Sequence, residues 1–174
     1  QDAGFEKVAV LGAGMMGAGI AYVSAKAGME VVLLDTSQEA AERGKAYSEG
    51  LLKKAIERGY STPDKAAALL GLIKPTTSYH DLQGCDLVIE AVFESVEIKA
   101  DVTAKTEAVV PETCIFASNT STLPITGLAR ASERPEQFIG LHFFSPVDKM
   151  PLVEIILGEK TNDEAIARSL DYIQ

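Results

Sequence analysis

Apolar residues along this chain come in short continuous blocks, separated by longer stretches in which they recur every three or four positions. Short apolar runs bounded by turn residues suit strands buried on both faces, and the longer period suits helices packed over them. The blocks at 7–11 and 31–34 enclose a helical stretch at 18–26 that Gly28 closes. A long helix is expected over 38–58, stopped by Gly59, and a shorter one over 63–70 with Pro63 at its first position. A strand at 73–77 precedes the continuous apolar strand 86–92, and a helix at 96–110, a strand at 114–117, a short helix at 124–129 and a strand at 138–143 follow. The last extended block, 152–157, comes too soon after its predecessor for a crossover helix to fit between them. It is therefore expected to pair antiparallel at a sheet edge.

Two T-x-x-E patterns, Thr36 with Glu39 and Thr161 with Glu164, have the form of capping boxes, for the long helix and for a final one over 163–174. That final pattern has a start but no stop signal, since neither Gly nor Pro follows Leu170 and Ile173, and the chain opens on Gln1-Asp2. The expectation is a piece of a longer polypeptide, with part of its site elsewhere. No repeat, low-complexity tract or linker interrupts residues 1–174, so they are expected to form a single domain.

Between the first two blocks the chain reads Gly12-Ala13-Gly14-Met15-Met16-Gly17, and the second block stops on Asp35. In a G-x-G-x-x-G turn between strand and helix, Gly12 permits the tight turn and Gly14 lets backbone N–H groups approach a pyrophosphate. Gly17 lets the helix pack closely on the sheet. A carboxylate at the tip of the second strand accepts hydrogen bonds from ribose hydroxyls and repels a 2′-phosphate, which predicts NAD over NADP. The alternative for Asp35 is helix initiation, although Thr36 is the expected cap. The fold class is thus α/β, a Rossmann-type doubly wound, mostly parallel sheet with an antiparallel edge.

Composition narrows the picture. A chain of 174 residues with 47% hydrophobic content has room for one substantial core. The net charge of −9 disfavours a nucleic-acid surface. No apolar stretch approaches the eighteen or so residues that a membrane span needs, and no charged-then-apolar leader is visible. Cys85 and Cys114 lack metal-like spacing and sit beside buried strands, as reduced core thiols of a cytoplasmic protein would.

Ligands of open α/β sheets collect at the carboxyl ends of the strands. Three polar clusters fall there: Glu94 with Lys99, Ser118-Asn119-Thr120-Ser121, and His142. Glu94 and Lys99 also suit a surface pair at a helix start, and His142 also suits a hydrogen-bonded histidine among aromatic neighbours. His80, in a polar connection, reads as a solvated side chain. Glu154 is the only charge in the apolar stretch 150–157, and an acid inside an apolar strand requires a partner. Imidazole is the natural candidate, because a carboxylate on one ring nitrogen fixes the tautomer and leaves the other free to exchange a proton.

The segments 10–17, 86–92, 116–121, 140–144 and 151–154 read VLGAGMMG, DLVIEAV, FASNTS, GLHFF and PLVE. Together they resemble the NAD-binding domain of the L-3-hydroxyacyl-CoA dehydrogenases, most closely the dehydrogenase portion of the multifunctional fatty-acid oxidation enzyme. The resemblance implies reversible oxidation of a 3-hydroxyacyl-CoA to the 3-ketoacyl-CoA with NAD, in β-oxidation. It makes His142 the catalytic base, Glu154 its orienting carboxylate and Ser121 the hydroxyl that touches the substrate oxygen and the nicotinamide region. Cofactor contacts are implied at Gly12, Gly14, Met15, Met16, Gly17, Asp35, Val92, Phe93, Glu94, Lys99, Asn119, Ser121 and Ser145. Many family members carry asparagine where this chain has Ser145. The family's helical C-terminal domain, which supplies another asparagine, part of the acyl pocket and most of the dimer interface, is expected to lie outside residues 1–174, so an exposed face prone to self-association is expected of them. Lys53, Lys54 and Arg58 fit either the phosphates of coenzyme A or a solvated helix face. Two other classes are compatible with a dinucleotide fold: a non-catalytic NAD-binding or assembly module, and another NAD oxidoreductase, acting for example on sugar nucleotides or 6-phosphogluconate. His142 with Glu154 argues against both.

Overall fold

The computed structural model describes residues 5–119, 123–143, 153–158, 160–162, 165 and 172, with the backbone alone for 153–156. Among these, seven strands form one sheet: β1 (Lys7–Leu11), β2 (Glu30–Leu34), β3 (Ile73–Thr76), β4 (Leu87–Glu90), β5 (Ile115–Ser118), β6 (Phe138–Phe143) and β7 (Val153–Leu157). Their order is β3-β2-β1-β4-β5-β6-β7. All neighbours pair in parallel except β6 and β7, which run antiparallel at the edge. The order reverses between β1 and β4, and this switch point opens a crevice at their carboxyl ends.

Five helices connect the strands: α1 (Met15–Lys26), α2 (Gln38–Glu57), α3 (Pro63–Leu70), α4 (Val96–Glu107) and α5 (Ile125–Ala129). Both sheet faces are covered, as continuous apolar strands require. Val8, Val10, Leu33, Ile89, Ala117 and Leu141 pack on one face with Ile20 and Ala21 of α1. Ala9, Leu11, Val88, Phe116 and Phe138 pack on the other with Val102 of α4 and Leu128 of α5. The second face is the one toward which Glu90, Ser118 and His142 fall by strand alternation.

Where boundaries differ from expectation, local chemistry accounts for it. Helix α4 stops at Glu107 instead of 110, because Pro111 excludes its predecessor from the helical region. Strand β4 ends at Glu90 instead of 92: the Val92 N–H turns back to the Glu90 carboxylate at 2.9 Å. The cap of α2 is Ser37, not Thr36; its hydroxyl accepts from the Ala40 N–H at 3.1 Å, while the Thr36 hydroxyl donates to Asp35. Likewise Asn162, not Thr161, accepts from the Ala165 N–H at 2.8 Å. The Thr161 hydroxyl instead donates to the Phe138 carbonyl and accepts from the Gly158 N–H. Glu164 and most of the expected helix over 163–174 lie outside the described residues, with Ala165 and Tyr172 helical where they are described.

Candidate functional site

The turn after β1 is built by three glycines with three separate reasons. Gly12 has φ +98°, and a Cβ there would stand 2.5 Å from the Ala91 carbonyl oxygen on the neighbouring strand's exit. A Cβ on Gly17 would stand 1.7 Å from the carbonyl oxygen of Gly12 itself, so the close approach at Gly17 is to the turn as well as to the sheet. A Cβ on Gly14 would meet nothing within 4 Å. Gly14 is also the N-cap of α1, which has no side-chain cap hydrogen bond and no acid in its first turn. The helix therefore presents unsatisfied N–H groups and the positive end of its dipole to open space, an arrangement that suits a phosphate. Met15 is exposed and Met16 half-buried beside it.

Asp35 stands at the tip of β2. One carboxylate oxygen accepts from the Ala13 N–H at 2.8 Å and the other from the Thr36 N–H at 2.6 Å. Asp35 thus braces the glycine turn, and acceptor capacity remains on the Ala13-bonded oxygen for a ribose hydroxyl. The residues present fit a dinucleotide.

Across the switch point, Val92, Phe93 and Glu94 form the turn from β4 into α4, with Phe93 exposed. Lys99 is not part of a surface pair, because only 2% of its side chain is exposed and its ammonium stands 2.6 Å from the fully buried Glu90 carboxylate. The same ammonium lies 3.4 Å from Glu94 and donates to the Asn119 carbonyl at 3.2 Å. Asn119 in turn accepts the Phe143 N–H on its side-chain oxygen at 3.3 Å. Glu90 is a residue that sequence reasoning missed, although the signal was available: it is a lone acid in the apolar run Leu87 to Val92, the pattern that singled out Glu154.

His142, half-buried on β6, is directly opposite Glu154 in the antiparallel register with β7. Directly opposite positions of such a pair share a face and are nearest neighbours across the strands. Ser121 and Ser145 lie outside the described residues, as does the side chain of Glu154. Lys53 and Lys54 are exposed on α2, with Arg58 exposed at its C-cap, and α2 packs on α1, α3 and β3. The structure does not bring them together with His142 and Asn119, which stand on the other side of β1 and β4 in the strand order. His80 is exposed, and Cys85 and Cys114 are buried thiols outside any disulfide, with burial pushing the Cys85 thiol up to about 11. Among the described residues no helix is long and apolar enough to cross a membrane.

The strand order, the uncapped glycine turn at the switch point and the acid at the tip of β2 define a dinucleotide-binding domain of the dehydrogenase class. A family model described as 3-hydroxyacyl-CoA dehydrogenase, NAD binding domain, matches residues 7–174, and the chain belongs to that family. The fatty acid oxidation complex subunit alpha of Psychrobacter arcticus is 48% identical over 164 residues, 94% of this chain and 23% of that protein. The (S)-3-hydroxybutyryl-CoA dehydrogenase of Ralstonia eutropha superposes with a TM-score of 0.92 at 39% identity, over 97% of this chain and 60% of that one. The 3-hydroxybutyryl-CoA dehydrogenase of Escherichia coli K12 gives 0.92 at 37% identity, over 97% of this chain and 36% of that one. The chain therefore spans about a quarter of the curated relative's length, and in that relative the matched region is part of a longer polypeptide.

Proposed function

We propose that this domain supplies the cofactor site and the acid–base histidine of a cytoplasmic 3-hydroxyacyl-CoA dehydrogenase that interconverts (S)-3-hydroxyacyl-CoA and 3-ketoacyl-CoA in β-oxidation. The observation that carries the reading is the register of His142 against Glu154 at the carboxyl end of β6, on the sheet that bears the dinucleotide cradle. Gly12, Gly14, Met15, Met16 and Gly17 hold the pyrophosphate end, and Asp35 holds the adenosine ribose. Val92, Phe93, Glu94, Asn119, Ser121 and Ser145 surround the nicotinamide end, while Lys99, buried with its ammonium on Glu90, Glu94 and the Asn119 carbonyl, supports that end without touching the cofactor. When bound, NAD+ supplies a hydride acceptor. His142 accepts the proton of the substrate 3-hydroxyl and returns it to the ketone in the reverse direction. Glu154 holds the imidazole in one tautomer and stabilises the imidazolium. Ser121 keeps the substrate oxygen in line, a positioning role that lowers turnover more than affinity when lost. A second domain of the same polypeptide supplies part of the acyl pocket and closes the site against water.

The test is reduction of acetoacetyl-CoA by NADH in the full natural polypeptide that contains this sequence. His142→Ala and Glu154→Ala should each lower turnover by about a hundredfold or more, and the double variant should be little worse than the worse single, because the two act as a unit. Additive losses would reduce Glu154 to a structural part. Absence of turnover in the parent, with NADH still bound, would favour a non-catalytic NAD-binding module.

A further inference from the structure

We infer that Glu90 is a positioning residue that sets the alignment between the cofactor pocket and His142, an inference that rests on the dehydrogenase reading above. Its carboxylate is fully buried at the carboxyl end of β4, one strand from the switch point's glycine turn and on the face where His142 falls. One oxygen accepts from the Lys99 ammonium at 2.6 Å and from the Val92 N–H at 2.9 Å; the other accepts from the Ser118 hydroxyl at 2.6 Å. Glu90 and Ser118 are also register partners on β4 and β5, and the Glu90 carbonyl accepts the Asn119 N–H at 2.7 Å.

Two arms leave this node. The first runs through the Val92 N–H and through Lys99 to Glu94, and so fixes the β4–α4 turn that faces the glycine cradle. The second runs through Ser118 and through Lys99 to the Asn119 carbonyl, and Asn119 then holds the Phe143 N–H beside His142. Elements α4, β4, β5 and β6 thus meet through one carboxylate. The Lys99 ammonium has three acceptors around it, Glu90, Glu94 and Asn119, matching its three N–H bonds, so Glu90 fixes its direction.

The physical argument for a role in geometry is that stability alone does not call for such a pair. Desolvating two charges offsets most of their attraction, and well-packed apolar side chains of similar volume hold such a place equally well. What apolar side chains cannot do is specify direction at five polar groups at once. A misplacement of about 1 Å costs a reacting geometry about a hundredfold in rate.

The experiment uses the full natural polypeptide, with Glu90→Gln, Lys99→Met, the double variant, and Lys105→Ala as a control on the exposed side of α4. Unfolding midpoint, NADH affinity, kcat and KM for acetoacetyl-CoA, and the deuterium isotope effect on kcat are measured for each. Each single variant strands a buried charge or donor and should lose both midpoint and turnover. The double variant should regain most of the midpoint yet keep a kcat loss of about thirtyfold or more, with KM changed less than about threefold and the isotope effect raised, because hydride transfer is misaligned. Ser118→Ala, which leaves the ion pair whole, should lower kcat about tenfold at unchanged KM. Should the double variant fail to fold, this last variant decides. An active parent whose double variant regains midpoint and kcat together, or whose Ser118→Ala variant turns over normally, overturns the inference alone. A parent without dehydrogenase turnover overturns the functional reading and this inference with it.

Discussion

Three alanine substitutions in one turn should fail in different ways, and the geometry says which. At Gly17 the new methyl would lie 1.7 Å from one backbone atom of Gly12 and 2.8 Å from another, so the helix start or the turn must move by more than an ångström. Overpacking against well-ordered atoms costs about 1–3 kcal/mol, and here the obstacle is backbone, so the upper part of that range applies. At Gly12 a left-handed φ adds about 1–2 kcal/mol to the clash with Ala91 at 2.5 Å, for a total of about 2–5 kcal/mol. At Gly14 the backbone is extended, with φ −69° and ψ −168°, and the methyl meets nothing. Replacing a cap glycine by alanine weakens the cap, while the reduced freedom of the unfolded chain returns about 0.4–1 kcal/mol, so the net change stays within about 1 kcal/mol. On the phosphate-cradle reading, however, Gly14 is where the backbone must come close to a pyrophosphate, and a methyl there keeps the two apart.

Urea or thermal unfolding followed by circular dichroism should therefore place Gly12→Ala and Gly17→Ala well below the parent, at about 2–4 °C per kcal/mol for a chain of this size. Gly14→Ala should unfold with the parent but lose at least about tenfold in NADH affinity, equivalent to about 1.4 kcal/mol. The chain contains no tryptophan, so NADH emission can be titrated without energy transfer from that source. A stable Gly14→Ala variant with parental affinity would refute the phosphate-cradle reading. Parental stability in Gly17→Ala would refute the packing argument.

The legibility of the chain followed the range of the forces involved. Strands buried on both faces must be apolar throughout, so β1, β2, β4, β5 and β6 were visible as blocks, whereas the edge strand β3 reads IKPT with Lys74 exposed; the spacing between β6 and β7 was short enough to dictate an antiparallel edge. Choices between neighbouring polar groups were not visible. Thr36 and Ser37 both offer a hydroxyl at the start of α2, and Thr36 is diverted because Asp35 sits beside it. Thr161 is diverted in the same way by the first residue of β6, Phe138. Long-range polar pairing was the least legible. Glu90 and Lys99 lie nine residues apart on different elements, and only the fold brings them to 2.6 Å. The rule that an acid in an apolar strand needs a partner applied to Glu90 as much as to Glu154, and sequence alone could have flagged the need without naming Lys99.

Asp35 and Tyr172 carry the remaining predictions. Asp35→Ala should weaken NADH binding and narrow the preference over NADPH, and should cost about 1 kcal/mol of stability through the lost bond from the Ala13 N–H. Asp35→Asn keeps an acceptor for that N–H, so it should relax the preference at smaller cost in stability; an unchanged NADH-to-NADPH affinity ratio in both variants would overturn the role. Tyr172 packs its ring edge-on against Phe5 and Phe143, and its hydroxyl shares a 2.8 Å hydrogen bond with Ser24 of α1. Burial pushes its phenol from 10 up to about 12. Because the folded state holds this proton more tightly than the unfolded chain, the associated stability is fully present below pH 10 and is lost as pH rises through 12. Two pH units correspond to about 2–3 kcal/mol. The Cys85 thiol, pushed up to about 11, adds a slope between pH 9 and 11 that parent and variant share, so the decisive quantity is the difference between their curves. Tyr172→Phe should start from lower stability, having lost the Ser24 bond, and then decline less steeply than the parent between pH 10 and 12. Parallel curves over that window, read from urea midpoints at fixed ionic strength, would show that this tyrosine ionises as readily in the fold as in the unfolded chain.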